Sequence, residues 1–173
     1  MPSLTPTSVV SRKTYAGAGT FDIDLPLTGN MGVECSSGGA INDYQMIINF
    51  ASTVTVESVA VTSGTGSVSS FSVSGSQVTV NLTGVTNVQT ITVTLHNVNN
   101  GTSTGDVRIS MGVLIGDVNA NGVINSVDVA QVKAKVGAAL PCGRAGRQAA
   151  CQSWQTRVSR AECHLDRLEA CLR

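Results

Sequence analysis

The segment FSVSGSQVTVNL, residues 71–82, alternates apolar and polar side chains on both sides of a short polar turn. Its apolar positions before and after the turn at residues 74–77 are Phe71, Val73, Val78, Val80 and Leu82. A period of two is typical of strands that are buried on one face, because successive side chains point to opposite faces. The segment therefore predicts a β-hairpin.

The same alternation recurs on both sides of this hairpin. Further strands are predicted at residues 21–27, 45–50, 54–56, 59–61, 91–95 and 107–113. Short strands at regular spacing with turn signals between them favour a mainly β fold, an antiparallel β-sandwich of immunoglobulin-like or fibronectin-like architecture. We place this module at residues 20–113. Residues 1–19 are rich in Ser, Thr, Pro and Gly, and they predict a linker or disordered end.

Composition excludes several classes of function. The formal net charge is zero and charged residues make up 13% of the chain, so no basic field would attract nucleic acid. No apolar run approaches the roughly 20 residues that a membrane span requires. Residues 1–20 lack the apolar core of a signal peptide. We expect an extracellular protein whose chain is a fragment, or whose export signal is missing from it.

The β module contains no convincing catalytic set. His96 is its only histidine and is expected at a surface or edge position, while Asp22 and Asp24 share one water-facing strand face. The most unusual local sequence is GVECSSGG, where Glu34 precedes Cys35. Nucleophilic catalysis by a thiol needs a paired base, and none can be named. We therefore expect a buried or loop thiol at Cys35 and no enzymatic activity.

Residues 117–128, DVNANGVINSVD, have the pattern of a calcium-binding loop. Calcium takes six to eight oxygen ligands, and a tight loop presents alternate side chains to one centre. The predicted ligands are the side chains of Asp117, Asn119, Asn121, Asn125 and Asp128 and the backbone carbonyl of Val123. Gly122 permits the sharp turn. The alternative is a solvated turn capped by Asn or Asp.

The residues around this loop extend the prediction. Ile124 is expected to pack under the loop, which an EF-hand-like arrangement requires. The segment after the loop predicts a short helix with Val129, Val132 and Val136 on one face.

The order Gly-Asp-Val-Asn, Asn-Gly, Ile-Asn and Asp-Val, followed by a short helix, resembles one repeat of a type I dockerin over about residues 114–140. Dockerins hold calcium through two such repeats and dock onto cohesin domains, often at the end of secreted polysaccharide-degrading enzymes. The resemblance implies calcium as cofactor and a cohesin-like domain as partner. It places Ser126, Val127, Lys133 and Ala134 at the partner-recognition positions, although Val127 replaces the usual hydroxyl residue and no second repeat is present.

The segments FDIDLPLTG and GVECSSGG resemble β modules that precede dockerin repeats in bacterial surface or secreted proteins. The combined expectation is a non-catalytic extracellular module for attachment or scaffolding. One alternative is a carbohydrate-binding or adhesion sandwich with a polysaccharide partner, which would need exposed aromatic residues such as Tyr15 and Tyr44. Another is the C-terminal fragment of a glycoside hydrolase.

Residues 141–173 differ in character from the rest of the chain. Lysine disappears there and six arginines and four cysteines appear. Apolar residues recur at steps of three and four, which predicts a C-terminal amphipathic helix. This helix would pack on the sandwich or on another chain. Alternatively, the tail is not native to the module.

Overall fold

Strands dominate residues 4–15 and 19–134, which are the residues that the computed structural model describes. They comprise β1 (Ser8–Tyr15), β2 (Gly19–Asp24), β3 (Val33–Glu34), β4 (Tyr44–Asn49), β5 (Ser58–Ser63), β6 (Ser67–Ser74), β7 (Gln77–Thr83), β8 (Gln89–Asn99), β9 (Thr104–Val113) and the helix α1 (Ser126–Lys133). The predicted C-terminal amphipathic helix and residues 135–140 of the loop–helix repeat lie outside the described residues.

The strands form two sheets. One has the order β2-β1-β4-β7-β6 and the other has the order β3-β9-β8-β5. The predicted mainly β fold is confirmed, and two sheets over one core are consistent with a β-sandwich. Purely antiparallel pairing is wrong at one place, because β3 runs parallel to β9. No hairpin joins these two strands, so no tight turn forces them to run in opposite directions.

The core lies between the two sheets. In β7, Val78 and Val80 are fully buried and alternate with partly exposed polar residues. In the other sheet, Ile91, Val93 and Leu95 of β8 are also fully buried, and residues of both sheets belong to one hydrophobic cluster. Burying each such side chain contributes about 1.5–3 kcal/mol. The alternation in the sequence is therefore the pattern that holds the two sheets together.

The predicted hairpin is the β6–β7 pair. Phe71 pairs with Val80 and Val73 with Val78, and Gly75 takes the left-handed conformation (φ 59°) that the turn requires. Phe71 and Val73 nevertheless remain 36% exposed. The reason is that β6 is an edge strand, so neighbours cover these side chains from one side only.

The linker predicted for residues 1–19 is wrong where β1 lies. This strand pairs with β2 on one side and with β4 on the other. Its inward positions after Val9 are Ser11 and Lys13, which are polar. The sequence of β1 therefore lacks the apolar alternation by which a half-buried strand is predicted. The predicted strand at residues 54–56 is reduced to one bridge, between Thr55 and Asn99.

Candidate metal centre

The loop at residues 117–128 follows β9 after a short anchored connection. The amide of Leu114 donates to the Glu34 carbonyl (3.1 Å) and that of Gly116 to the Cys35 carbonyl (3.2 Å). The loop then reverses direction through two positive φ angles, 56° at Ala120 and 81° at Gly122. The second is conformationally inexpensive because glycine has no Cβ. The loop thus begins on a fixed part of the sheet.

The two carboxylates of the loop are enclosed by its backbone. Asp117 is 1% exposed, and its Oδ1 and Oδ2 accept the amides of Asn121 (3.1 Å) and Gly122 (2.7 Å). Asp128 is 2% exposed, and its Oδ1 accepts the Val118 amide (3.0 Å). Its Oδ2 accepts the amide of the N-cap residue Asn125 (2.9 Å), which completes a capping box at the start of α1. Residues eleven positions apart in sequence therefore converge on one small loop.

The asparagines are ordered by short-range hydrogen bonds of the same kind. The side-chain oxygens of Asn119 and Asn121 accept the amides two residues ahead, at 3.0 Å and 2.8 Å. Asn125 Oδ1 accepts the Val127 amide at 2.7 Å. An amide oxygen has two lone pairs, so the oxygens of Asn119 and Asn121 each keep one for a cation, whereas Asn125 Oδ1 also accepts the Asp128 amide in the capping box. All five predicted side-chain ligands are therefore fixed within the same loop.

The electrostatics of the loop are unbalanced. Within residues 4–15 and 19–134 the ion pairs are Arg12–Asp22 and His96–Asp106, and neither involves Asp117 or Asp128. Backbone N–H donors, above all that of Asn125, lower the pKa of Asp128 against the opposing effect of burial. Buried charges are costly unless they are paired. Two nearly inaccessible carboxylates in one loop thus favour a cation beside them.

The donor set fits a hard cation. Carboxylate, amide and backbone carbonyl oxygens are the ligands of calcium, and the loop offers these without any sulfur or imidazole. Among the described residues no group of three or more His, Cys, Asp or Glu side chains could hold a metal. This is compatible with the loop, because only two of its six predicted ligands are carboxylates.

The apolar residues of the unit differ from expectation. Ile124 is 52% exposed, so the prediction that it packs under the loop is wrong, and no described element covers it. Val132 is 8% exposed but Val129 is 39% exposed. The inward side of α1 instead carries Asp128 and Val132, one turn apart, because the capping carboxylate turns inward. Val136 lies outside the described residues.

The predicted partner-recognition residues are all exposed. Ser126 and Val127 begin α1, while Lys133 and Ala134 lie at its end. Residues seven apart fall on nearly the same side of a helix, since two turns contain about 7.2 residues. Ser126 therefore aligns with Lys133 and Val127 with Ala134, and the two pairs form neighbouring accessible rows along α1.

The sandwich contains a buried polar cluster around Glu34 that the sequence analysis does not predict. Glu34 is 0% exposed, and its carboxylate accepts the hydroxyl of Ser11 from the opposite sheet. It also accepts the amide (2.9 Å) and the hydroxyl (2.6 Å) of Ser36. Cys35 is buried, as expected for a structural thiol. The signal in the sequence was Glu34 itself, but nothing there indicated its partners.

The remaining candidates lie apart on the surface. His96 is partly exposed, as expected for a surface or edge position, and its Nδ1 lies 3.1 Å from Asp106 Oδ2. An amide donated by Asn97 and the contact with His96 lower the pKa of Asp106. Asp22 pairs with Arg12 at 2.7 Å, and that pairing raises the pKa of Arg12. The structure brings none of these groups to the calcium-type loop.

In the part of the chain that the structure describes, no helix is long and apolar enough to cross a membrane. Comparisons with protein-family models, curated proteins and solved structures found no match to this chain.

Proposed function

We propose that residues 117–128 bind one calcium ion and that the chain is a non-catalytic extracellular module for attachment or scaffolding. The observation that carries the proposal is the near-complete burial of Asp117 and Asp128 in one loop without a basic partner among the described residues. A divalent cation neutralises both charges and takes oxygen ligands readily.

The ligands divide into two kinds. Asp117 and Asp128 bring the negative charge, whereas Asn119, Asn121, Asn125 and the Val123 carbonyl bring neutral oxygens. Two formal charges are few for a calcium site, and affinity depends on ligand charge and site rigidity. We expect a dissociation constant of about 10⁻⁴–10⁻³ M, the range of extracellular modules.

The docking role rests on the dockerin resemblance together with the accessible side of α1. Ser126, Val127, Lys133 and Ala134 are exposed there, beside the apolar side chains of Val123 and Ile124. A cohesin-like domain is the partner that the resemblance implies. Calcium would act by fixing the loop that sets the position of α1, so metal binding and docking would be coupled.

The aromatic residues favour attachment over sugar binding. A flat sugar-binding face needs exposed rings, but Phe21, Phe50 and Tyr44 are buried in the sandwich. Among the side chains that the structure describes, Phe71 offers a single ring that is 36% exposed, while the side chain of Tyr15 lies outside the described ones. Polysaccharide is accordingly expected to be a ligand of a linked protein and not of this sandwich.

Calcium titration by isothermal calorimetry tests the proposal. Asp117→Asn and Asp128→Asn keep the size of each side chain but remove one charge, so each is expected to weaken binding tenfold or more, about 1.4 kcal/mol. Asp24→Asn is the matched control, because Asp24 is an exposed carboxylate on β2, and it should bind calcium as the wild type does. Amide exchange in residues 117–128 should slow when calcium is added.

Two results would contradict the calcium site. One is the absence of binding heat at several millimolar calcium together with unchanged exchange in the loop. The other is equal affinity in the two loop variants and in Asp24→Asn, which would indicate non-specific binding to carboxylates. Cohesin docking is tested separately, by the loss of partner binding when a chelator is added.

A further inference from the structure

Lys13 occupies an inward position of β1. Val9 pairs with Ile48 and Ser11 with Met46, all of them buried, and Lys13 continues the same row. Its ammonium lies 5.4 Å from the centre of the Tyr44 ring, which belongs to the core. Lysine is rarely placed facing a core, because its charge loses hydration there. Partial burial accordingly lowers the pKa of Lys13, against the effect of nearby carboxylates.

Asp43, the residue before β4, lies within reach of this amine. Lys13 Nζ donates to the Asp43 backbone carbonyl at 3.3 Å. The Asp43 amide donates to the Gly38 carbonyl at 2.8 Å, which fixes this part of the backbone. Asp43 Oδ1 is buried and has no hydrogen-bond partner among the described residues. An unsatisfied buried oxygen is costly, so Oδ1 requires an explanation in a residue whose backbone carbonyl binds the Lys13 ammonium.

Glu34 completes the group from the opposite sheet. Its carboxylate is bound by Ser11, two residues before Lys13 on the same inward face of β1. The charges of Glu34 and Asp43 raise the pKa of Lys13, against the larger effect of burial. Three charged residues from separate segments are therefore gathered at one end of a largely apolar interior, with the aromatic ring of Tyr44 beside them.

We propose that Lys13 and Asp43 become joined by an intramolecular amide bond between Nζ and Cγ, with Glu34 carrying the proton. One proton of the Lys13 ammonium passes by way of Glu34 to the Asp43 carboxylate, and the neutral Nζ attacks Cγ. The Cγ–N bond forms and a Cγ–O bond breaks. The hydroxyl leaves as water with a second proton from the nitrogen. Glu34 returns to its starting state, and no oxidant, reductant or cofactor takes part.

Several features of the site suit this condensation. The amine contacts the backbone of the residue that carries the carboxyl group, so a rotation of the two side chains would bring the reacting atoms together with the advantage of proximity. The bond would connect β1 to the beginning of β4, its neighbour in the sheet, without changing their register. This inference depends on the sandwich alone and is independent of calcium binding by the loop.

Intact-mass spectrometry of the purified full chain, denatured and reduced, tests the proposal. The wild type is expected to be lighter than its sequence mass by one water. Trypsin should fail to cut after Lys13, so residues 13–108, which contain no other Lys or Arg before Arg108, should be released as one internally looped peptide that is lighter than its sequence mass by one water. Lys13→Arg keeps the charge but removes the nucleophile, so it should show the full mass. Lys133→Arg, at an exposed lysine of α1, is the control and should still lose water.

Two further variants separate the roles within the site. Asp43→Ala should show the full mass, and Glu34→Gln should leave most of the chain unbridged. Full mass in the wild type, with normal cleavage after Lys13, would overturn the inference, as would a loss of water that persists in Lys13→Arg. A fully bridged Glu34→Gln protein would overturn the role of Glu34. The mass of the wild type decides the main point even where a variant fails to fold.

Discussion

Replacing Ser11 by alanine tests the buried polar cluster at low structural cost. Ser11 is 1% exposed in β1, and its hydroxyl donates to the Glu34 carboxylate from the facing sheet. Alanine removes this donor, and the space left by the hydroxyl is too small for water to replace it. A hydrogen bond to a charged group contributes about 1.5–3 kcal/mol, and a buried carboxylate that loses one donor becomes less stable by a similar amount. We expect Ser11→Ala to lower the free energy of unfolding by about 2 kcal/mol.

Urea denaturation, followed by far-UV circular dichroism of the strands, measures this change in the free energy of unfolding. With a slope of about 1–3 kcal/mol per molar urea, the midpoint should fall by roughly 1 M. Ser72→Ala is the matched control, because Ser72 is exposed on the edge strand β6 and its replacement should stay within about 0.5 kcal/mol. The slope should be the same in all three proteins if the transition is two-state.

A double-mutant cycle assigns the effect to the Glu34 contact. In a Glu34→Gln background the neutral amide needs the Ser11 donor less, so Ser11→Ala should cost less there by about 1 kcal/mol. An equal cost in both backgrounds would show that Ser11 acts by packing alone. A midpoint for Ser11→Ala that matches that of Ser72→Ala would refute the energetic reasoning altogether.

Three further outcomes are expected. Because the pKa of Asp128 is lowered, its charge stabilises the loop fully above about pH 4, the ordinary aspartate value, and this stabilisation is lost as the pH falls through the lowered pKa. Amide exchange of residues 118–125, measured between pH 2 and 6, should therefore show weaker protection at the acidic end than the intrinsic pH dependence of exchange accounts for. Gly122→Ala should weaken calcium binding at a cost of about 1–2 kcal/mol, because φ is 81° there although the space for a Cβ is open; calorimetry measures it. Leu95→Ala should destabilise the fold by about 2–5 kcal/mol in urea, whereas Leu27→Ala, at a side chain 43% exposed, should change it little.

The sequence predicts the apolar strands well and the polar ones badly. The alternation at β7 and β8 is unambiguous because Val80 and Val93 are each flanked by Thr or Asn. The inward face of β1 carries Ser11 and Lys13, and their partners, Glu34 for Ser11 and Asp43 for Lys13, come from distant segments. The periodicity of hydrophobic residues does not reveal a strand whose inward side chains are polar and are held by polar partners. The same limit explains why the parallel pairing of β3 could not be predicted.

The candidate metal site shows a similar division. The spacing of oxygen-bearing residues between Asp117 and Asp128 predicts which side chains share the loop, and the structure places them there. It does not predict how deeply the two carboxylates are buried, because burial depends on the backbone that folds over them. Nor does it predict the exposure of Ile124, which depends on whether another element packs against the loop.

The direct connection from β9 through residues 114–116 to the loop has a mechanical consequence. If a partner held the loop while the rest of the protein was pulled away, the load would enter the sheet along the axis of β9. That strand is bonded to β8 over most of its length and to β3 at its end. Such a load would shear many hydrogen bonds together instead of unzipping them singly, so the sandwich is arranged to withstand tension applied at its proposed docking end.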